Sequence, residues 1–141
     1  MKVRCISNAR TTVPENYRDL HVGEKDFLPD LHITVGKDYV VYALALQKHA
    51  QVWYYISDDD EHPYPLHYPA PMFQVINSRF SRYWRFAFTP QHLDHVALCA
   101  FEDWVLDPYF YDRLTDVEEK EVSKFKIMKK LIDSEGDQFD S

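Results

Sequence analysis

Glycine is scarce, at three in 141 residues. Glycine-rich loops let the backbone approach a phosphate closely, so their lack excludes a P-loop and a dinucleotide-binding fingerprint. The GxSxG elbow of an acyl-transfer nucleophile is missing too. Cysteine is limited to Cys5 and Cys99, with no CxxC pair. Without a secretory leader the two thiols read as reduced and buried, with a single disulfide between them as the alternative. No apolar run approaches the ~20 residues of a membrane-spanning helix. Met1-Lys2-Val3-Arg4-Cys5 opens the chain without an apolar targeting core. The expectation is a cytoplasmic protein with no membrane partner and no cofactor.

Aromatic side chains are abundant: three Trp, ten Tyr and nine Phe. Most of them must pack in a core or form a partner surface, because exposing them to water is costly. They concentrate between Asp38 and Phe88, in short β-branched and aromatic runs separated by Pro63, Pro65, Pro69 and Pro71. Tyr39 to Leu46 is apolar on both faces and reads as a central strand, with Gln47 to Ala50 as a hairpin loop and Gln51 to Ser57 as the return strand. Lys2 to Ser7, Leu31 to Val35, Met72 to Ile76, Tyr83 to Phe88 and Val96 to Phe101 read as further strands. The prolines keep residues 63–71 out of any central strand. Asn8 to Pro29 is a long polar loop with room for one short helix.

The C-terminal part changes period. Asp107-Pro108 is a helix start, and Thr115-Asp116-Val117-Glu118 is a capping box opening a helix to about Ile132. That helix presents Val117, Phe125, Met128 and Ile132 on one face. The expected fold is mainly β (α+β): a small SH3-like or strongly bent antiparallel β-barrel with C-terminal helices. A single domain covers residues 1–133 and a frayed acidic tail covers 134–141. Trp53, Tyr55, Phe73, Trp84 and Phe86 are expected to be buried.

Charge is divided unevenly. Residues 1–90 hold ten Lys/Arg and ten Asp/Glu, so residues 91–141 carry the whole net charge of −7. Between Gln91 and Glu119 eight acids face Arg113 alone. This distribution disfavours nucleic acid, which needs clustered cations, and suits a basic protein partner. Asp94, Asp103, Asp112 and Glu119 are the candidate partner-binding residues. Asp107, Asp116 and Glu118 are set aside as helix-start residues. The plainer alternative is a solvated surface with acids at helix starts.

Other constellations are weaker. His92-x-x-His95 with Cys99 can be drawn as a metal site, but zinc centres prefer fuller Cys/His sets. Asp58 to His62 resembles a calcium loop only in charge, lacking its alternation and its glycine. Arg79, Arg82 and Arg85 interleave with Phe80, Tyr83 and Trp84. The expectation there is that the aromatics face the core and the arginines face solvent.

A resemblance completes the reading. Ile33-Thr34-Val35-Gly36-Lys37-Asp38-Tyr39-Val40-Val41-Tyr42, then Trp53-Tyr54-Tyr55-Ile56, Tyr68-Pro69-Ala70-Pro71-Met72-Phe73-Gln74-Val75 and Ser81-Arg82-Tyr83-Trp84 form a core pattern. Over residues 31–86 this pattern is similar to small bacterial proteins of the toxin-immunity kind. The resemblance implies a non-enzymatic intracellular protein that binds and neutralises a toxin domain, and it carries no site residues. The alternative from another class is a small ligand-binding or enzymatic β-barrel with a pocket lined by Trp53, Tyr55, Tyr83 and Trp84.

Overall fold

The computed structural model describes residues 1–18, 31–88 and 95–139. Its strands are β1 (Lys2–Cys5), β2 (Asp38–Val40), β3 (Ala43–Gln47), β4 (Gln51–Ile56), β5 (Leu66–Pro69), β6 (Phe73–Asn77), β7 (Trp84–Phe88) and β8 (His95–Phe101). Helices are α1 (Glu15–Arg18), α2 (Glu102–Leu106), α3 (Phe110–Thr115) and α4 (Glu119–Phe139). The protein is mainly β with C-terminal helices. Its described strands make two antiparallel sheets, in the orders β2-β1-β6 and β5-β4-β3-β8-β7. They do not close into a barrel.

The reason lies in the segment read as one central strand. Tyr39 to Leu46 is broken after Val40, so β2 belongs to the small sheet and β3 to the large one. Between them, the Val41 N–H bonds to Met1 O at 3.1 Å and the Tyr42 N–H to Tyr55 O at 2.8 Å. The chain thus changes partners from one sheet to the other at adjacent residues. Both neighbours are buried, which accounts for the two-sided apolar pattern without a continuous strand.

Strand register assigns the two faces of the large sheet. Trp53, Ala45, Leu98 and Ala87 form one cross-strand row, and Tyr54, Leu44, Cys99 and Phe86 form the next. Successive rows point to opposite faces. On the Trp53 side, Trp53 meets Tyr17 of α1, and Tyr55 meets Trp104 of α2 and Tyr111 of α3. On the other side, Tyr54 meets Phe73 of β6, and Tyr42 meets Phe125 of α4. Trp53, Tyr55, Phe73 and Trp84 are buried as expected. Phe86 is not: it is 65% exposed. Its parity with Trp84 is right, but the layer covering that face stops short of it.

Other expectations are corrected. Leu31 to Val35 is not a strand; it leads into a turn in which the Lys37 N–H bonds to Thr34 O at 3.0 Å. Gly36 sits there at φ +88°, the left-handed backbone such a turn favours in glycine. The proline-spaced stretch stays out of the central strands, as expected: it holds β5, at the sheet edge, where a missing donor is tolerated. Residues 134–139 of the expected acidic tail are the last part of α4, and Glu135 is buried: its Oε1 accepts from the Ser81 hydroxyl at 2.9 Å and the Arg82 N–H at 3.2 Å.

The capping box is not formed either. The Thr115 hydroxyl donates back to Tyr111 O and Asp112 O, at 3.1 and 3.0 Å, and ends α3 instead of starting α4. The Glu118 N–H bonds to Arg113 O and the Val117 N–H to Leu114 O, both at 3.0 Å. That is a Schellman closure, with Val117 in the left-handed position at φ +59°. Val117 is therefore 55% exposed and does not join the packing face, which Phe125, Met128 and Ile132 do form. A β-branched residue at positive φ is strained. Val117→Gly is expected to raise the unfolding free energy by about 1 kcal/mol, measured by urea denaturation; a loss of stability would show that the valine side chain contributes packing here.

Candidate functional site

Among the described residues, the acidic stretch from Glu102 to Glu119 runs through α2 and α3 to the start of α4. α2 begins directly after β8, with Glu102 and Asp103 in its first turn, where the helix dipole favours anions. Its Trp104 is buried and stacks on Tyr111 of α3, with ring centroids 5.4 Å apart and planes 11° apart. That stack fixes α2 against α3. The Asp107 carboxylate accepts the Tyr109 N–H at 3.0 Å, and Asp107 O accepts the Phe110 N–H, so Asp107 closes the turn ahead of α3; the helix itself begins two residues later than expected, with Tyr109 at its N-cap and no side-chain cap.

Arg113, the lone cation of the stretch, is consumed internally. Its guanidinium pairs with Asp107, and its Nε lies 3.3 Å from Glu121 Oε2 on α4. Glu121 is buried, so this bridge joins α3 to α4 beneath the surface. The Tyr109 N–H, followed by the Arg113 charge, holds the Asp107 carboxyl below its usual range.

The remaining acids face outward. Asp103, Asp112 and Glu119 are all exposed, one on each helix. Asp103 lies 3.4 Å from Lys124 Nζ; Asp112 and Glu119 form no ion pair among the described residues. Asp94 falls outside the described residues. Asp103 and Asp107 also line an open cleft of about 390 Å³ with Phe110, Lys120, Glu121, Ser123, Lys124 and Ile127. The helices thus bring Asp103 to the cleft, whereas Asp112 and Glu119 lie outside its lining. The apolar lip, Ile127, carried no sequence signal beyond its off-face position in the helix.

A second cluster sits in the loop after β4. The Asp59 carboxylate accepts from Thr34 Oγ1 at 2.6 Å, Lys37 Nζ at 2.7 Å and the Tyr39 hydroxyl at 2.8 Å. Asp58 takes the Tyr68 hydroxyl at 2.5 Å, and Asp60 contacts His32. Ligand atoms of Asp58, Asp60 and His62 come within 4.8 Å of one another. The alternation judged missing from this loop is therefore present, at positions 58, 60 and 62. The network's evident work is to tie the loop to the Gly36 turn. Of the other metal candidate, His92 lies outside the described residues, and Cys99 is half-buried on β8. Burial pushes both the Cys5 and Cys99 thiols up, away from the thiolate that nucleophilic or ligand chemistry requires.

The four aromatics of the alternative pocket do not line one space. Trp53 and Tyr55 lie on the face of the sheet opposite Trp84. Trp53 is packed between Tyr17 and His67, and Trp84 donates its Nε1–H to Tyr42 O at 3.1 Å. In the basic-aromatic run, Trp84 is buried and Tyr83 half-buried, as expected, but Phe80 is exposed with Arg79, Arg82 and Arg85.

The chain matches no protein-family model, no curated protein and no solved structure.

Burial alone would raise the Asp59 carboxyl, but the bonds from Lys37, Thr34 and Tyr39 outweigh it and hold it below the ordinary value. Burial together with Asp59 pushes the Tyr39 phenol up to about 12. A depressed carboxyl stabilises the fold above the unfolded-state value of about 3.9, and that contribution disappears as pH falls through the folded value. Between pH 5 and 2, Asp59→Asn is expected to lose less stability than the wild type in urea titrations; parallel acid limbs would contradict this.

Proposed function

We propose that the chain is a non-enzymatic, intracellular binding protein that takes a basic protein partner on the outward face of α2, α3 and α4. The reading extends to an immunity protein that neutralises a toxin by occupying its basic surface. The observation that carries it is the division of labour among the acids. Asp107 and Glu121 are spent on Arg113, whereas Asp112 and Glu119 stay exposed and unpaired among the described residues. Asp103 borders a cleft that also includes the exposed Ile127.

An exposed apolar residue, Ile127, beside outward carboxylates supports a protein-binding reading of this face. Rim carboxylates speed encounter with a cationic partner and exclude acidic ones, while residues entering the cleft slow dissociation.

The test uses the partner that co-purifies from the native host. Asp112→Lys and Glu119→Lys reverse free charges; Asp103→Asn removes one without setting two cations together beside Lys124. The combined variant is expected to lower the association rate constant about tenfold and flatten its salt dependence. The dissociation rate is expected to change little. Surface-plasmon kinetics at two ionic strengths, with a melt on the variant, read this directly. Unchanged association with an intact fold would rule the acidic face out as the docking surface.

A further inference from the structure

The outer strand of the large sheet, which lies against α2, bears a second surface of opposite sign. β7 is the last strand in the order β5-β4-β3-β8-β7, paired with β8 along one side only among the described residues. Phe86 and Phe88 stand two residues apart on one face and are 65% and 63% exposed. Phe88 continues a cross-strand row through Ala97 and Leu46 to Val52, so the apolar strip runs inward across the sheet. Phe80, beside Trp84 at 5.3 Å, extends it at the strand's start and is also exposed. Proteins blunt sheet edges with charge, proline or cover, because a bare apolar edge invites another strand. β7 leaves two phenylalanines there.

The charge around this edge is equally distinctive. From His62 to Leu93 the sequence contains no Asp or Glu, and its cations are Arg79, Arg82 and Arg85. This is a cationic island in a chain of net charge −7. The Arg85 guanidinium bonds only to the carbonyl oxygens of Arg82 and Trp84, with no ion pair to a described carboxylate. Arg82 lies over the Tyr83 ring and 3.9 Å from Glu135, and stays exposed.

We propose that β7 takes an extended acidic segment of a partner protein as an added strand. Main-chain hydrogen bonds along the edge supply affinity. Apolar residues at alternate positions of the added strand pack on Phe86 and Phe88, and carboxylates pair with Arg85 and Arg82. A single-stranded nucleic acid also stacks on aromatics beside arginine. It is disfavoured here because three arginines in a chain of net charge −7 make no wider phosphate track.

The probe is a panel of short fluorescent peptides in which Glu alternates with Val, Tyr or Phe. Matched peptides carrying Lys for Glu and an oligothymidylate serve as competitors for the reading. Anisotropy is expected to show binding of an acidic member that weakens as salt rises, with no binding of the Lys series. Arg85→Glu and Phe86→Ser are each expected to weaken it about tenfold or more. Both residues are exposed, so melts of the variants should match the wild type, and Phe88→Ser serves if either does not fold. No binding across the acidic panel, or affinity unchanged in the folded variants, would overturn the proposal. Tighter binding of the oligothymidylate would overturn it in favour of nucleic acid. A dimer of the free protein in sedimentation, dissolved by Phe86→Ser, would overturn it in favour of a second copy.

Discussion

Tyr42 is the residue on which the arrangement turns. It sits where the chain leaves the small sheet for the large one, and every part of it is engaged. Its N–H reaches Tyr55 O on β4, and its carbonyl accepts the Trp84 indole from β7. Its hydroxyl donates to Asp133 on α4 at 2.5 Å, and its ring meets Phe125 edge-on at 5.6 Å. Lys129 Nζ lies 5.3 Å from the ring centroid and 2.9 Å from Asp133, closing a charged contact over the phenol. A buried hydroxyl without a partner is costly, so Asp133 must stay in register for the helix to pack. Burial and the Asp133 charge drive the phenol's ionisation far above its usual range, keeping it a donor at any working pH.

Because α4 is held at Tyr42, the acidic face is held too. Arg113 ties α3 to α4 through Glu121, and the Trp104–Tyr111 stack ties α2 to α3. The far end of α4 is fixed separately, by Glu135 on Ser81 and the Arg82 N–H beside β7. One helix therefore spans from the acidic cleft to the cationic edge. The same helix thus sets the placement of both the acidic residues and the arginine-bearing edge.

Much of the sheet was legible because aromatic and β-branched runs bounded by turn residues have few other uses. The break at Val41 and Tyr42 was not, since a strand apolar on both faces and a crossing between two sheets leave the same pattern. α2 was missed for a related reason: Trp104, Val105 and Leu106 extend the apolar run of β8, and length alone does not separate them. Val117 shows the limit of motif reading, because a capping-box sequence lost to a Schellman closure that the preceding helix required. At the candidate site, the acids were readable as a charge run. Their sorting into internal partners of Arg113 and outward ones depended on how α3 meets α4. Phe86 had the right parity and the wrong depth, because nothing in a single strand tells how far its covering layer extends.

The most direct test of the account is an amide hydrogen-exchange footprint of the protein bound to its co-purified partner. Added protection confined to α2, α3 and the first three turns of α4 is the expected result, since those segments carry Asp103, Asp112 and Glu119 and frame the cleft. Protection that leaves residues 102–127 unchanged and falls instead on the loop after β4 or on the small sheet would contradict it.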